Sequence, residues 1–165
     1  EPLHRLKFVW DPFTEAAQTD AESLRISGTV KFSFDAAIDR ETAILSAMLV
    51  DLGEACRITE EEIQHPDGTY TFGLEKEPSA YKVISRGWLN AQNRSCLWSK
   101  EKIVPGEFCH YAIDMVPTDH VLASGHKLAL ILYGIDAEET QRPDTATNIT
   151  VDTASICAAV PILRS

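Results

Sequence analysis

Serine and histidine are the first candidates for chemistry in this sequence, because a serine nucleophile needs a histidine base within reach. Ser124-Gly125-His126 places one of each two positions apart. Sequence neighbours rarely meet in a catalytic geometry, and Ser-Gly before the apolar run from Leu128 is typical of a turn. The Gly-x-Ser-x-Gly pentapeptide of an α/β-hydrolase nucleophile does not occur in the sequence. We therefore predict a turn here and no catalytic residue in this chain.

Histidine and aspartate also suggest a metal site. His65-Pro66-Asp67 has the spacing of the His-x-Asp pair that binds iron in some jelly rolls, and His110, His120 or His126 would supply the third ligand. The same residues lead into Gly68, however, and Pro-Asp-Gly is a turn sequence, since proline presets φ and glycine accepts a positive φ. The turn is the favoured interpretation. We predict no metal and no cofactor.

The cysteines and the acidic run give no stronger metal signal. Cys56, Cys96, Cys109 and Cys157 lie far apart, without the close pairs of zinc sites or redox motifs, and we interpret them as reduced thiols. The Glu60-Glu61-Glu62 run lacks the spaced oxygens of a calcium loop, because neighbouring residues of a strand point to opposite faces. It fits a solvated edge strand, where charge discourages unwanted pairing.

The segment Ser85–Trp98 is the most informative part of the chain. It combines two arginines, two tryptophans and several amides, residue types that dominate well-packed interfaces. We predict a strand end that opens into a polar loop and forms a docking surface, with these candidates: Arg86, Trp88, Gln92, Asn93, Arg94 and Trp98. The alternative is that Trp88 and Leu89 fill the core while Arg86 and Arg94 pair with local acids.

Alternating apolar residues predict the strands that would position this segment. Leu24–Phe34 alternates throughout, which indicates one strand with one buried face. Ala43–Leu52 and Lys127–Tyr133 are apolar on both parities, which favours central strands covered on both faces. Cys56–Gln64 and Thr69–Phe72 would form a hairpin around the Pro-Asp-Gly turn.

About eight short strands with little helix predict an all-β fold, an antiparallel β-sandwich of the jelly-roll or galactose-binding-like type. The remaining strands are predicted at Ala80–Ile84, Phe108–Met115, Thr147–Val151 and Ser155–Leu163. The best helical candidate is Thr14–Leu24. We expect one domain over residues 1–165, with residues 1–22 as an irregular or short-helical lead-in.

The charge of the chain argues against two classes of partner. Its formal net charge of -10 repels phosphate backbones and anionic headgroups, so neither nucleic acid nor a membrane is an expected partner. No apolar run reaches the roughly 20 residues that span a bilayer, and Glu1–Arg5 lacks the layout of a signal peptide. Together with the cysteines, this predicts a cytoplasmic protein.

The order of motifs resembles the C-terminal domain of bacterial X-prolyl dipeptidyl aminopeptidases, which is shared with cocaine-esterase-type hydrolases. The resemblance begins near Leu24 and rests on several segments of the chain. These are Ile26-Ser27-Gly28-Thr29, Leu49-Val50-Asp51-Leu52-Gly53, Ser85–Trp98 with its Gly-Trp-Leu-x-x-Gln-Asn-Arg core, Val104-Pro105-Gly106, Pro117-Thr118-Asp119-His120, Ser124-Gly125-His126-Lys127-Leu128 and Leu132-Tyr133-Gly134-Ile135-Asp136.

The resemblance implies a jelly roll within a cytoplasmic bacterial serine peptidase that releases Xaa-Pro dipeptides from peptide N-termini. The catalytic serine, aspartate and histidine of that family lie in an upstream α/β-hydrolase domain, so none maps onto this chain. We therefore expect a non-catalytic domain that packs on its own catalytic domain, or contributes to a homo-oligomer. The alternative is a carbohydrate- or ligand-binding module that uses Trp10, Trp88 and Trp98.

Overall fold

A computed structural model describes residues 5–15, 21–136, 139–141 and 146–163. Within these ranges strands are the dominant regular structure, beside one helical turn, α1 (Pro12–Glu15), and a 3₁₀ turn at Ala91–Asn93. The strands are β1 (Arg5–Trp10), β2 (Ser23–Gly28), β3 (Lys31–Ile38), β4 (Ile44–Ala55), β5 (Ile58–Gln64), β6 (Tyr70–Leu74), β7 (Ser79–Asn90), β8 (Phe108–Asp114), β9 (Thr118–Ala123), β10 (Lys127–Tyr133), β11 (Ile149–Ala159) and β12 (Ile162–Leu163).

The strands form two antiparallel layers. One layer is a four-stranded sheet in the order β1-β10-β4-β7. The other is divided into two three-stranded sheets, β11-β3-β8 and β12-β2-β9, and β5 pairs with β6 in a separate hairpin. The chain crosses repeatedly between the layers, which is the connectivity of a jelly roll. The predicted all-β sandwich is confirmed.

Gly28 divides the segment that was predicted as a single strand. Leu24 and Ile26 lie on β2, whereas Phe32 and Phe34 lie on β3 in a different sheet. All four side chains are buried in the same core, so the alternation is real. The prediction of one continuous strand is wrong because Gly28 adopts a φ of 125°, a conformation that L side chains rarely adopt, and the strand bends there.

The prediction of central strands with two covered faces is confirmed for β4 and β10. Their alternate residues enter two different apolar clusters on opposite faces of the four-stranded sheet. The inner cluster is the core between the two layers. The outer cluster consists of Met48, Val50, Ala129 and Tyr133, with Leu52, Val83 and Ile131 packed beside them.

In the other layer, β8 also directs alternate side chains into the core. Tyr111, Ile113 and Met115, which share one parity, are all buried in the core. Phe34 stacks near Phe32 and the Tyr111 ring, with ring centroids 5.0 and 5.9 Å apart. These rings fill the space beneath the inner face of the four-stranded sheet.

Several predicted boundaries are wrong. The strand predicted at Ala80–Ile84 continues through Ser85–Asn90 as the second half of β7, paired along β4, before the polar loop begins. β9 was not predicted, and β11 joins two predicted strands across a bulge between Asp152 and Cys157. The lead-in is more regular than expected, because β1 pairs with β10 as an edge strand. Of the helix predicted at Thr14–Leu24, Thr14 and Glu15 belong to α1 and Ser23 and Leu24 belong to β2, while residues 16–20 lie outside the described ranges.

Candidate functional site

The loop after β7 presents the most exposed aromatic side chain of the described chain. The Asn90 side chain accepts a hydrogen bond from the Gln92 N–H (3.0 Å) and so begins the 3₁₀ turn. The Asn93 side-chain amide then donates to the carbonyl oxygens of Cys96, Leu97 and Ser99, at 3.3, 3.2 and 3.1 Å. These hydrogen bonds hold the loop in its shape. Leu97 and Trp98, at the tip of the loop, are exposed by 73% and 93%, respectively.

Arg94 holds the same loop from the other side. Its Nη2 pairs with Glu101 Oε2 at 2.7 Å and donates to the Lys102 carbonyl at 3.3 Å. The Glu101 N–H donates to the Gln92 carbonyl at 2.7 Å, which closes the loop. The polar residues of the segment are therefore used to shape the loop, and the apolar residues at its tip remain exposed.

Arg86 and Trp88 converge on one carboxylate. They share a face of β7, and Asp136 Oδ2 accepts from Arg86 Nη1 at 3.0 Å, from Trp88 Nε1 at 3.2 Å and from the Tyr133 hydroxyl at 2.7 Å. Burial, followed by the bond to Asp136, raises the pKa of Tyr133 well above its usual range. Arg5 lies over the Tyr133 ring, with its guanidinium carbon 5.5 Å from the centroid. This cluster lies at the end of the outer face where β1 begins.

Several residues that were predicted to form a docking surface instead make contacts within this domain. Leu89 is buried in the core, and both Arg86 and Arg94 pair with acids of this domain, as the alternative interpretation held. Trp88 is half-buried, with its N–H directed at Asp136. Trp98 is the candidate that projects into solvent. Docking itself stays a prediction.

A buried carboxylate that the sequence reasoning missed lies at the opposite end of β4. Asp51 is 1% exposed and accepts from Arg57 Nη1 (3.0 Å) and His120 Nε2 (3.0 Å) at Oδ2, and from His126 Nδ1 (2.8 Å) at Oδ1. Gly53 makes room for this arrangement, because a Cβ there would lie 2.3 Å from the His126 ring. We call these four side chains the Asp51 cluster.

The Asp51 cluster resembles half of a catalytic triad, since a carboxylate orients a histidine through Nδ1. Its carboxylate, however, is also shared with Arg57 and a second histidine, and the His126 ring lies directly against Gly53. Ser124 belongs to the turn between β9 and β10, in which the His126 N–H donates to the Ala123 carbonyl at 3.1 Å. The predicted turn is confirmed, and the cluster is suited to holding structure together.

The residues of the iron hypothesis are used elsewhere. His65 Nε2 bonds the Thr71 hydroxyl at 2.9 Å, and Asp67 accepts from the Thr69 N–H and hydroxyl, which lowers the pKa of Asp67. His110 bonds Asp35 at 2.7 Å. Among the described residues no group of three or more histidine, cysteine, aspartate or glutamate side chains is arranged to hold a metal, and the four cysteines are free thiols.

Two clefts follow the side of the sandwich between β1 and β11. One, of about 440 Å³, is lined by Phe8, Trp10, Leu130, Ile156 and Val160 among others. The other, of about 380 Å³, includes Arg5, Leu132, Ile149 and Val151. The lining of the first is mainly apolar, whereas the second also includes Thr147, Asn148 and Thr153. Trp10 packs against the core and Trp88 binds Asp136, so the three tryptophans lie in different settings.

Sequence signals existed for both buried carboxylates. Asp51 is the one acid in the Ala43–Leu52 run, which is apolar on both parities, and a buried acid needs partners. Arg86 and Trp88 are two positions apart on a strand and must share a face, where they need an acceptor. The identity of the acceptor, Asp136, depends on the pairing of β7, β4 and β10.

Known proteins resemble this chain over most of its length. A family model described as X-Pro dipeptidyl-peptidase C-terminal non-catalytic domain matches residues 13–162. The Xaa-Pro dipeptidyl-peptidase of Lacticaseibacillus rhamnosus is 30% identical over 148 residues, covering 82% of this chain and 19% of that protein. A putative Xaa-Pro dipeptidyl-peptidase of Streptomyces avermitilis is 33% identical over 161 residues, covering 87% and 24%. The chain thus spans about a fifth of the length of these relatives.

Solved structures of hydrolases contain the same fold. A CocE/NonD family hydrolase from Staphylococcus aureus aligns with 99% of this chain and 31% of its own, with a TM-score of 0.62 and 12% identity. An α-amino acid ester hydrolase aligns with 97% of this chain and 26% of its own, with a TM-score of 0.60 and 14% identity. The fold, the order of motifs and the matched residues agree. This chain belongs to the family of X-Pro dipeptidyl-peptidase C-terminal non-catalytic domains.

Proposed function

We propose that this domain is part of a polypeptide that releases Xaa-Pro dipeptides from peptide N-termini, and that it packs against and stabilises the catalytic part. The names of the relatives support the activity, and the small share of their length that the chain spans supports a separate catalytic part. In that part a serine would attack the carbonyl after proline and a histidine would transfer the proton. This domain supplies neither group.

The exposed tip of the Trp98 loop is the observation that carries the docking proposal. A tryptophan exposed by 93% leaves a large apolar ring in water, which is unfavourable by roughly 25 cal/mol for each Å². The loop is already fastened by Asn93 and Arg94, so inserting the ring into a pocket would cost little ordering entropy. Tryptophan on a preorganised loop is a typical anchor of a protein interface.

The outer face of the four-stranded sheet supports the same proposal. Its apolar cluster is built from residues of β4, β7 and β10, and Tyr81 and Val9 at its margins are exposed by 61% and 49%. The centre of the cluster is already buried within this domain, so its exposed margins are the part that is open to a partner. Arg86, Trp88 and Asp136 lie where this face ends, near the start of β1. In the proposed polypeptide the catalytic part comes before β1.

The Trp98→Ser substitution tests the proposal. In the intact polypeptide we expect it to remove about 2 kcal/mol or more of interdomain stabilisation, because interface tryptophans often contribute that much. In the isolated domain we expect almost no change in stability, because the exposed Trp98 ring buries little surface there. Thermal unfolding of both proteins gives the comparison.

Val121→Ser is the matched control, since Val121 is also exposed but lies on β9 in the other layer. This substitution should change the thermal stability of neither the intact polypeptide nor the isolated domain. If Trp98→Ser and Val121→Ser behaved alike in the intact polypeptide, the Trp98 loop would not be a docking anchor.

A further inference from the structure

The β5–β6 hairpin carries an apolar stripe that its own domain does not bury. Tyr70, Phe72 and Leu74 alternate along β6 and share one face, and Ile58 is directly opposite Leu74 on β5. Each of these four side chains is exposed by more than half. Such a row of large apolar residues on one face is a common mark of a surface that meets another protein.

The hairpin is a separate two-stranded sheet in this fold. An isolated ribbon of two strands is marginally stable in water and usually needs a packed face. Tyr81, which is opposite Leu52 of the outer cluster, is exposed near the start of β7, where the chain returns from the hairpin to the four-stranded sheet. The hairpin and the exposed margin of the outer face thus meet at the same end of β4 and β7.

The root of the hairpin is firmly anchored. Arg57, which precedes β5, donates from Nη1 to Asp51, from Nε to the Ser79 hydroxyl at 3.1 Å and from its backbone N–H to Glu75 Oε2 at 3.1 Å. The Glu75 N–H returns a bond to the Arg57 carbonyl at 2.9 Å. Since the Arg57 side chain is only 9% exposed, the Asp51 cluster fixes this root to the sandwich. The hairpin is thus a projecting arm with an ordered base.

Charge determines which partner suits the arm. Residues 58–77 contain six acidic residues and one lysine, and the whole chain has a net charge of -10. Two copies of such an arm would repel each other, so a second copy is a poor partner. An apolar surface with basic residues at its rim would complement both the stripe and the charge. The remaining four-fifths of a polypeptide the length of the relatives would be tethered nearby at a high effective concentration.

We propose that the β5–β6 hairpin is a docking arm that lays its apolar stripe on a basic-rimmed apolar surface of the catalytic part of the same polypeptide. This inference rests on the proposed packing of the domain against such a part. It adds a second contact at the end of the sandwich opposite the cluster around Asp136. The arm would extend the interface well beyond the Trp98 loop.

Hydrogen exchange of the backbone amides in residues 58–74 tests the arm. At equal pH and temperature, we expect these amides to exchange at least tenfold more slowly in the intact polypeptide than in the isolated domain, because docking would shield the ribbon. The slowing should not depend on protein concentration. Equal exchange rates in the two proteins would overturn the proposal, and slowing that grows with concentration would overturn it in favour of a second copy.

Phe72→Thr provides the matching variant, because threonine keeps the strand propensity and removes the apolar ring. Ile63→Thr is its control, since Ile63 pairs with Thr71 on the opposite face of the hairpin. We expect Phe72→Thr to abolish the slowing in the intact polypeptide and Ile63→Thr to preserve it. Slow exchange that survives Phe72→Thr would contradict the proposal. Exchange in the isolated domain monitors whether each variant hairpin still forms.

The two proposals can fail independently. If Trp98→Ser destabilises the intact polypeptide while the hairpin amides exchange as in the isolated domain, the domain docks without its arm. If the arm is protected while Trp98→Ser has no effect, the contact lies at the hairpin end and the Trp98 loop is not the anchor.

Discussion

Buried charged side chains decide much of this structure. Asp51 accepts from Arg57, His120 and His126 in a buried site, and Asp136 accepts from Arg86, Trp88 and Tyr133 beside the outer face. A buried carboxylate gains little net stability from its partners, but removing its charge leaves those partners unsatisfied. Both aspartates therefore act as organising centres to which distant strands are joined.

Asp51→Asn should be strongly destabilising. The amide cannot satisfy Arg57 and two histidines as the carboxylate does, so we expect a loss of about 3–5 kcal/mol in the free energy of unfolding of the isolated domain. Urea unfolding followed by circular dichroism measures it. Asp119→Asn is the control, because the Arg25–Asp119 pair is exposed and should contribute little. Similar losses for the two variants would show that the Asp51 cluster is not an organising centre.

At the level of elements, the hairpin differs from the strands around it. The four-stranded sheet and its opposite layer share one core, whereas β5 and β6 are joined to the sandwich through the contacts of Arg57, Glu75 and Ser79 at their root. Polar contacts of this kind respond to pH, which the apolar core does not.

The root should weaken in acid through Glu75. Donation from the Arg57 N–H, and then from the Ser79 hydroxyl, lowers the pKa of Glu75 below its ordinary value of 4.5. A lowered pKa in the folded state means that ionised Glu75 stabilises the fold above pH 4.5 and loses this effect as pH falls through the lowered value. Wild type should therefore exceed Glu75→Gln in melting temperature at pH 7, and this difference should shrink as the pH falls below 4.5. A difference that stays constant with pH would contradict this assignment.

At the scale of the whole molecule, the domain has two exposed apolar surfaces, the tip of the Trp98 loop and the stripe of the hairpin, which we propose as its docking contacts. The Trp98 loop and the Asp136 cluster lie toward the end of the four-stranded sheet where β1 begins, and the hairpin extends from the other end. Among the described residues no helix is long and apolar enough to cross a membrane.

The isolated chain should leave Xaa-Pro chromogenic substrates uncut. The family is non-catalytic, and the His126 ring is held by Asp51 against Gly53 rather than beside a nucleophile. The release of chromophore from highly purified protein measures this, with the intact polypeptide as the positive control. Turnover that persists in His126→Ala would indicate a contaminant, and turnover abolished by that change would contradict the non-catalytic assignment.

Local patterns in the sequence were sufficient for the fold class and the family. Period-two alternation, the Pro66-Asp67-Gly68 turn and the two-sided apolar runs at Ala43–Leu52 and Lys127–Tyr133 correctly predicted antiparallel β-structure with central strands. The order of motifs correctly predicted the family. These features are local or follow chain order, so they can be read without knowing which strands are neighbours.

The roles of individual side chains depended on the tertiary structure. Arg86 could have faced a partner or a local acid, and the register of β7 on β4 placed it beside Asp136, 50 positions away. Asp51 met His120 and His126 only because β9 and β10 return to β4 from about 70 positions along the chain. The free energy of such a pair depends on burial and on strand order, which no local pattern encodes. The sequence by itself thus determined what kind of domain this is, and the tertiary structure decided which of its polar residues are bound within it and which apolar ones remain exposed.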